Sequence, residues 1–448
     1  MRIRVCDLLT WWFLSVLWVS SAGAQTTALT HVRLIDGTGS RATENGTILI
    51  EGRTIKAVGQ SEVAIPAGAR IIDAKGQTAI PGLADMHVHL AGGWDGVSID
   101  LLGYQNYLNS LLFSGVTTIL DTGNVPALIL QLRGAIASGT LLGPRIYCVG
   151  PLLDGPDPMW SDISVAITSR AQVPAILERL KSQNVDLVKL YSGLSDRLVW
   201  QISREAAKQK MRTIIDQGPR NGSTDLMEEG IAGFAHLPSH RISDEAVQHA
   251  KDKNIFFIST LSVGEVYTKR RLGDLHFLED SLIADVTPPS QLQALRNSTR
   301  KAPDAPELER LKHVLAQFEG AETNVKRLWD AGVLIAAGTD APYPGDFQGE
   351  GLHHELELLV ESGLTPLQAI TSATKNAALI VGAGQEWGTL EPGKLANIVL
   401  IDGKPDVNIH DTHRIRLVIK EGVILDREKL KFSSTSKDFA TVGGIATP

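Results

Sequence analysis

Residues 85–90 read Asp-Met-His-Val-His-Leu. Alternate residues of a β-strand point the same way, so His87 and His89 present two imidazoles on one face. An apolar approach with a turn, Ala79-Ile80-Pro81-Gly82-Leu83, leads in, and Ala91-Gly92-Gly93 leads out as a loop. The pair therefore sits where a buried strand ends. Neutral imidazole is a borderline ligand, and two side by side suit a divalent transition metal.

Outward from this strand the pattern repeats. Segments 83–88, 116–120, 144–149, 185–190, 212–215, 233–236, 255–260 and 333–337 are short and mostly apolar, as strands are. Helical stretches intervene at 171–183, 196–210, 225–229 and 245–253, with a long polar helix ending at Ala331. Eight strands alternating with helices predict an α/β fold, a parallel sheet closed as a (β/α)8 barrel of the TIM type over 81–384. Upstream, 30–35, 46–51 and 54–58 read as strands, the last two joined by a tight hairpin at Gly52-Arg53. A closing helix over 365–381 carries Pro366 in its first turn, and short strands return at 396–401, 416–420 and 423–425. Segments 25–80 and 385–432 are expected to pair as one small β-sandwich domain. Residues 433–448 read as a disordered tail.

The first 24 residues have the layout of an export signal: Arg2 and Arg4, an apolar stretch over 8–19, then Ala22-Gly23-Ala24 as a cleavage site. That places the mature chain in the periplasm or outside the cell. The apolar stretch falls short of the roughly 20 residues that span a bilayer, so no membrane association is expected after cleavage. Cys148 would then be the sole cysteine, with no internal disulfide. A net charge of −7 over 448 residues argues against nucleic acid as a partner. A small-molecule substrate is expected, and a homo-oligomer remains open.

In a barrel of this kind the functional residues stand at the carboxyl ends of strands. Strand 1 ends in His87 and His89, strand 4 in Lys189-Leu190-Tyr191, strand 6 in Ala235-His236, and strand 8 in Gly338-Thr339-Asp340. A lysine in an apolar strand has its pKa depressed by burial. Its neutral amine can take up carbon dioxide as a carbamate, which bridges two metals as a carboxylate does. The ordinary readings are an ion-paired lysine at 189 and a helix-capping aspartate at 340. His240 and Arg220 are weaker candidates for substrate contact, the arginine through its fork of donors; the ordinary readings are a surface histidine and an exposed salt bridge. The loop 152–162, with Trp160, is a candidate lid, and the charged stretch 265–315 is expected to wrap as solvated helices.

Taken together these motifs resemble the amidohydrolase superfamily of metal-dependent hydrolases, in its prolidase-like and imidazolonepropionase-like branch. The likeness runs over about residues 28–426. It rests on Ile-Pro-Gly-Leu-Ala-Asp-Met-His-Val-His at 80–89, Ser-Gly-Val-Thr-Thr at 114–118 and Gly-Thr-Asp-Ala at 338–341. It extends through 364–374 and Gly-Thr-Leu-Glu-Pro-Gly-Lys-Leu-Ala-Asn-Ile-Val-Leu at 388–400. The resemblance implies that His87, His89 and Asp340 hold one divalent ion of zinc type. It implies that His236 holds a second, that Lys189 bridges them as a carbamate, and that Asp340 is the general base. The implied reaction is hydrolysis of a carbon–nitrogen bond in an amide, cyclic amide or dipeptide.

One departure stands out. The family places a metal-binding histidine at the end of strand 5, where this chain reads Thr213-Ile214-Ile215-Asp216-Gln217-Gly218. Counting from either side puts the missing ligand at Ile215 or at Asp216. Zinc accepts a carboxylate, whereas isoleucine would leave a weakened second site and a one-metal enzyme. The alternatives are a lactonase or esterase on the same scaffold, and a non-catalytic ligand-binding descendant.

Overall fold

In the computed structural model, residues 26–60, 63–298 and 304–433 are described. The expected signal at 1–24 lies outside them, as does the expected tail except for Ser433. Among the described residues no helix is long and apolar enough to cross a membrane.

The eight expected barrel strands all form, and all run parallel. They are Leu83–Val88, Val116–Asp121, Arg145–Cys148, Val188–Leu190, Thr213–Ile215, Gly233–Phe234, Phe256–Ser259 and Leu334–Ala337. The third strand is broken. Arg145–Cys148 pairs with the second strand, while the fourth pairs with a continuation, Leu152–Asp154. Gly150, at φ +72°, turns the chain between the two pieces. The start of the expected lid loop is therefore a strand. The ring closes just beyond strand 8. The Asp340 and Thr339 N–H groups donate to the His87 carbonyl (2.7 and 3.2 Å), and His89 N–H donates to the Ala341 carbonyl (3.0 Å).

Alternation sorts the strand residues into two layers. Ala84, Met86, Leu120, Ile214, Phe256, Ile258 and Ala336 are fully or almost fully buried together inside the barrel. Leu83, Val116, Val188 and Ile215 pack outward into the larger core under the helices. Strand 1 shifts register against strand 2 between Asp85 and Val88. Such a bulge re-aims side chains at a barrel rim. Met86 below it fills the core, and His87 directly above it faces the barrel mouth.

Both chain ends contribute strands to one hydrogen-bonded β unit. Thr78–Pro81 pairs with Thr26–Leu34 on one edge and with Ile398–Ile401 on the other. That edge-to-edge joint makes a single connected sheet of eight strands. The closing helix starts with the Thr365 and Gln368 side chains capping each other's backbone N–H, and it passes through a π-turn at Ser372–Asn376.

The segment after strand 7 is helical as expected, ending in the long helix Ala305–Ala331. It is not simply a solvated wrap. Leu278, Ile283, Leu292 and Leu295 form a small core of their own. Arg271 is buried in an ion pair with Glu350 (2.5 Å), its guanidinium 4.2 Å from the Phe277 ring centroid.

Candidate metal centre

The strand ends converge as the barrel geometry requires. His87, His236 and Asp340 each offer a ligand atom within 4.8 Å of the others. His89 joins them, its Nε2 lying 3.0 Å from Asp340 Oδ1, while His87 Nε2 lies 3.2 Å from the same oxygen. Lys189, 2% exposed, places Nζ 3.2 Å from His87 Nε2.

The tautomers follow from the partners. His87 Nδ1–H donates to the Ala235 carbonyl and His89 Nδ1–H to the Gly123 carbonyl, both at 2.9 Å. A carbonyl only accepts, so each ring carries its proton on Nδ1 and turns an Nε2 lone pair into the site. Two lone pairs and a carboxylate oxygen then meet at about 3 Å, an arrangement that calls for a cation between them. Burial, and after it the charge of Lys189, push the His87 imidazole down to about 3, which keeps it in the ligating form. Burial alone would raise the Asp340 carboxyl, but positive charge on the His87 and His89 side of the site holds it well below the ordinary carboxylate range, and with both rings neutral a bound cation would supply that charge. Burial lowers the Lys189 ammonium, although Asp340, Asp216 and Asp121 all oppose the shift. The donor set fits a divalent cation.

At strand 5 the structure brings Asp216, and not Ile215, to the barrel mouth. Ile214 lies in the barrel interior and Ile215 under the helices, so Asp216 turns inward. Its Oδ1 accepts from Gly218 N–H (2.9 Å) and Asn221 Nδ2 (3.1 Å), and its Oδ2 faces His236 Nε2 at 3.6 Å. Burial would raise this carboxyl, yet His236 and Lys189 bring it below its usual value. His236 Nδ1 lies 2.7 Å from Thr260 Oγ1, which leaves Nε2 for the site.

The two weaker substrate candidates do not reach the cavity. Arg220 pairs with Asp196 (2.5 Å) and Asp225 (2.6 Å) on the surface. His240 is exposed, and neither side chain lines the space around the metal residues. That space is instead walled by Trp160, Tyr191 and Tyr343, and it continues into a cavity of about 350 Å³ bounded by Leu237, Tyr267 and Phe318. Trp160 Nε1–H donates to the Tyr191 hydroxyl (3.0 Å), so the candidate lid touches the end of strand 4. Tyr267 and Tyr343, edge to face at 5.8 Å, escaped the sequence reading. The only signal for Tyr343 is its place three residues after Asp340.

With this geometry in hand, the chain can be set beside known proteins. Residues 78–444 match the family model described as "Amidohydrolase family". The chain belongs to the amidohydrolase family. Imidazolonepropionase of Geobacillus kaustophilus is 23% identical over 418 residues, covering 85% of this chain and 90% of that protein. Ochratoxinase of Aspergillus niger is 25% identical over 384 residues, covering 73% and 70%. The crystal structure of a Xaa-Pro dipeptidase with methionine in its active site superposes with a TM-score of 0.70 at 20% identity. It covers 90% of this chain and all of the other. This amidohydrolase is thus similar over most of its length to an imidazolonepropionase and an ochratoxinase, shares the fold of a Xaa-Pro dipeptidase, and is itself an enzyme. The barrel expected from the strand pattern is the barrel of that family.

Proposed function

We propose that this amidohydrolase cleaves an amide or cyclic amide bond in a neutral, ring-bearing small molecule. The observation that carries the reading is the convergence of His87 Nε2 and His89 Nε2 on one oxygen of Asp340, with both Nδ1 atoms bound to main-chain carbonyls. His87, His89 and Asp340 would hold one divalent ion, His236 and Asp216 a second. A bound divalent ion supplies Lewis-acid activation of water and of the scissile carbonyl.

The chain's own groups do the rest. Asp340, ionised and at the mouth, takes the proton of the attacking water and returns it to the leaving nitrogen. Lys189, with its amine shifted toward the neutral form, can attack carbon dioxide. The new N–C bond and the loss of one proton leave a carbamate anion between His87 and the Asp216 side. The Tyr191 hydroxyl accepts from Trp160, so its own proton is free for the substrate carbonyl oxygen. Burial pushes that phenol up, which keeps it a donor.

The walls support the substrate class. Around the site and its extension, Lys189 is the only lysine or arginine among the lining residues. A dipeptide carboxylate would find no arginine fork there, whereas rings can stack on Trp160 and the three tyrosines. An export signal at 1–24 would place this chemistry outside the cytoplasm.

The test is turnover of a neutral aryl amide against a dipeptide, before and after chelation. Aryl-amide cleavage that is lost on chelation and restored by zinc supports the reading. Cleavage of dipeptides only would overturn the substrate class, and activity surviving metal removal would overturn the mechanism. A lactone turned over faster than any amide would favour an ester hydrolase.

A further inference from the structure

We propose that Glu357, His410 and His413 form a separate divalent-metal site, of zinc type, that clamps the small sheet to the barrel. Glu357 lies on the helix Glu350–Glu361, which follows strand 8. His410 and His413 lie on the turn Ile409–His413, which joins the strands Ile398–Ile401 and Ile415–Lys420 of the small sheet. Residues three apart on a 3₁₀ turn share one face, so both imidazoles look toward the helix.

The donor atoms are already gathered. One from each residue lies within 4.8 Å of the others. His413 Nε2 stands 3.4 Å from Glu357 Oε1, and His410 Nδ1 stands 2.5 Å from the same oxygen. Ligands about 2.1 Å from a tetrahedral zinc stand about 3.4 Å from one another. The His413–Glu357 spacing therefore needs no change. Only His410 has to draw back, and its side chain is 64% exposed and free to do so.

A second observation points to a ligand. His413 Nδ1 lies 2.7 Å from Asp280 Oδ2, so that ring nitrogen carries the proton. Its Nε2 is buried and makes no hydrogen bond. A histidine held from behind by a carboxylate, with its other nitrogen turned to the Glu357 carboxylate at 3.4 Å without a hydrogen bond, is the arrangement that orients imidazoles on zinc. Beside it, His353 donates from Nε2 to the Ser114 carbonyl (2.8 Å) and leaves a buried Nδ1 without a partner, its ring 5.0 Å from that of His413. Asp280 belongs to the segment after strand 7, so one ion would tie that segment, the strand-8 helix and the small sheet together. None of these residues belongs to the barrel-mouth site.

The competing state is an ion-pair cluster, with a charged His413 between Asp280 and Glu357. The experiment uses the full chain, stripped of metal and reloaded with zinc, as wild type, His410→Ala and Glu357→Gln. Zinc per chain is counted by elemental analysis, and Tm is read with and without the metal. His410→Ala lies outside the catalytic machinery and should keep amide turnover. It should carry one zinc fewer than wild type and lose part of the Tm rise on loading, and Glu357→Gln should bind the clamp ion about 10- to 100-fold more weakly. Equal zinc in all three proteins, with equal Tm shifts, would overturn the proposal and leave the ion-pair cluster. A His410→Ala protein that keeps its zinc count but loses turnover would overturn it as well.

Discussion

Asp216 Oδ2 faces His236 Nε2 at 3.6 Å across the barrel mouth, with the other oxygen of Asp216 tied to Gly218 and Asn221. A carboxylate thus stands at the inward end of strand 5. In a His410→Ala background, which lacks the clamp ion, Asp216→Ala should lower bound metal from about two ions per chain to about one, while Asp216→His should keep the higher count, because zinc takes either ligand. Elemental analysis of the purified proteins checks this. One ion with Asp216 and with both substitutions in that background would show that strand 5 binds nothing.

Gly338 is where strand 8 comes closest to a ligand. A Cβ there would stand 2.8 Å from His87 Cβ and 2.8 Å from Ile258 Cγ2. Gly338→Ala should push His87 off its Ala235 carbonyl and cost about 10- to 100-fold in metal affinity. A competition titration with a chromophoric chelator measures it. Unchanged affinity would mean that His87 has room to shift without consequence.

Asp340→Asn keeps the shape and removes the base. Loss of the proton-transfer role alone should lower kcat by about 10²- to 10⁴-fold. Because Asp340 would also be a ligand, metal content must be measured on the same sample. A protein that retains its metal and turns over at wild-type rate would remove Asp340 from the chemistry.

Cys148 is the one free cysteine among the described residues, and burial pushes its thiol up to about 12 from an ordinary 9.0. The folded chain holds this proton between about pH 9 and 12, where the unfolded chain has released it. Stability should therefore fall as pH rises through that window and be unaffected below it. Cys148→Ala should flatten that alkaline slope in Tm. At pH 8 a thiol reagent should label the denatured chain and spare the native one, since the thiolate is the nucleophile. Rapid labelling of the native protein would contradict the burial.

Arg220→Ala should change kcat/KM less than about twofold, because its guanidinium serves Asp196 and Asp225 at the surface, where such pairs contribute little. Steady-state kinetics on the preferred amide decide it. A large rise in KM would place the arginine on the substrate after all.

Much of this was legible because strands carry a period of two and barrels put their chemistry at strand ends. That His87, His89, Lys189, His236 and Asp340 meet at one barrel mouth could be read from position alone. Asp216 could not be separated from Ile215, because the choice depends on knowing that Ile214 faces inward. The broken third strand was hidden, since Leu152-Leu153-Asp154 is too short to show a period. Arg271 looked solvated because its partner, Glu350, lies far along the chain. Tyr267 and Tyr343 sit on segments with no periodic pattern, and only the folded ring brings them to one wall. Arg220 takes the ordinary role of an exposed ion pair, although nothing local shows that Asp196 and Asp225 are its partners.

The hydrogen bonds that close the ring, from the Thr339 and Asp340 N–H groups to the His87 carbonyl, belong to the same residues that would grip the metal. The seam of the barrel and the jaws of the site are one structure. A chain still missing its eighth strand carries both histidines yet has nothing to close against them. Competence for chemistry would arrive only with the final strand, so an unfinished or half-opened molecule stays inert.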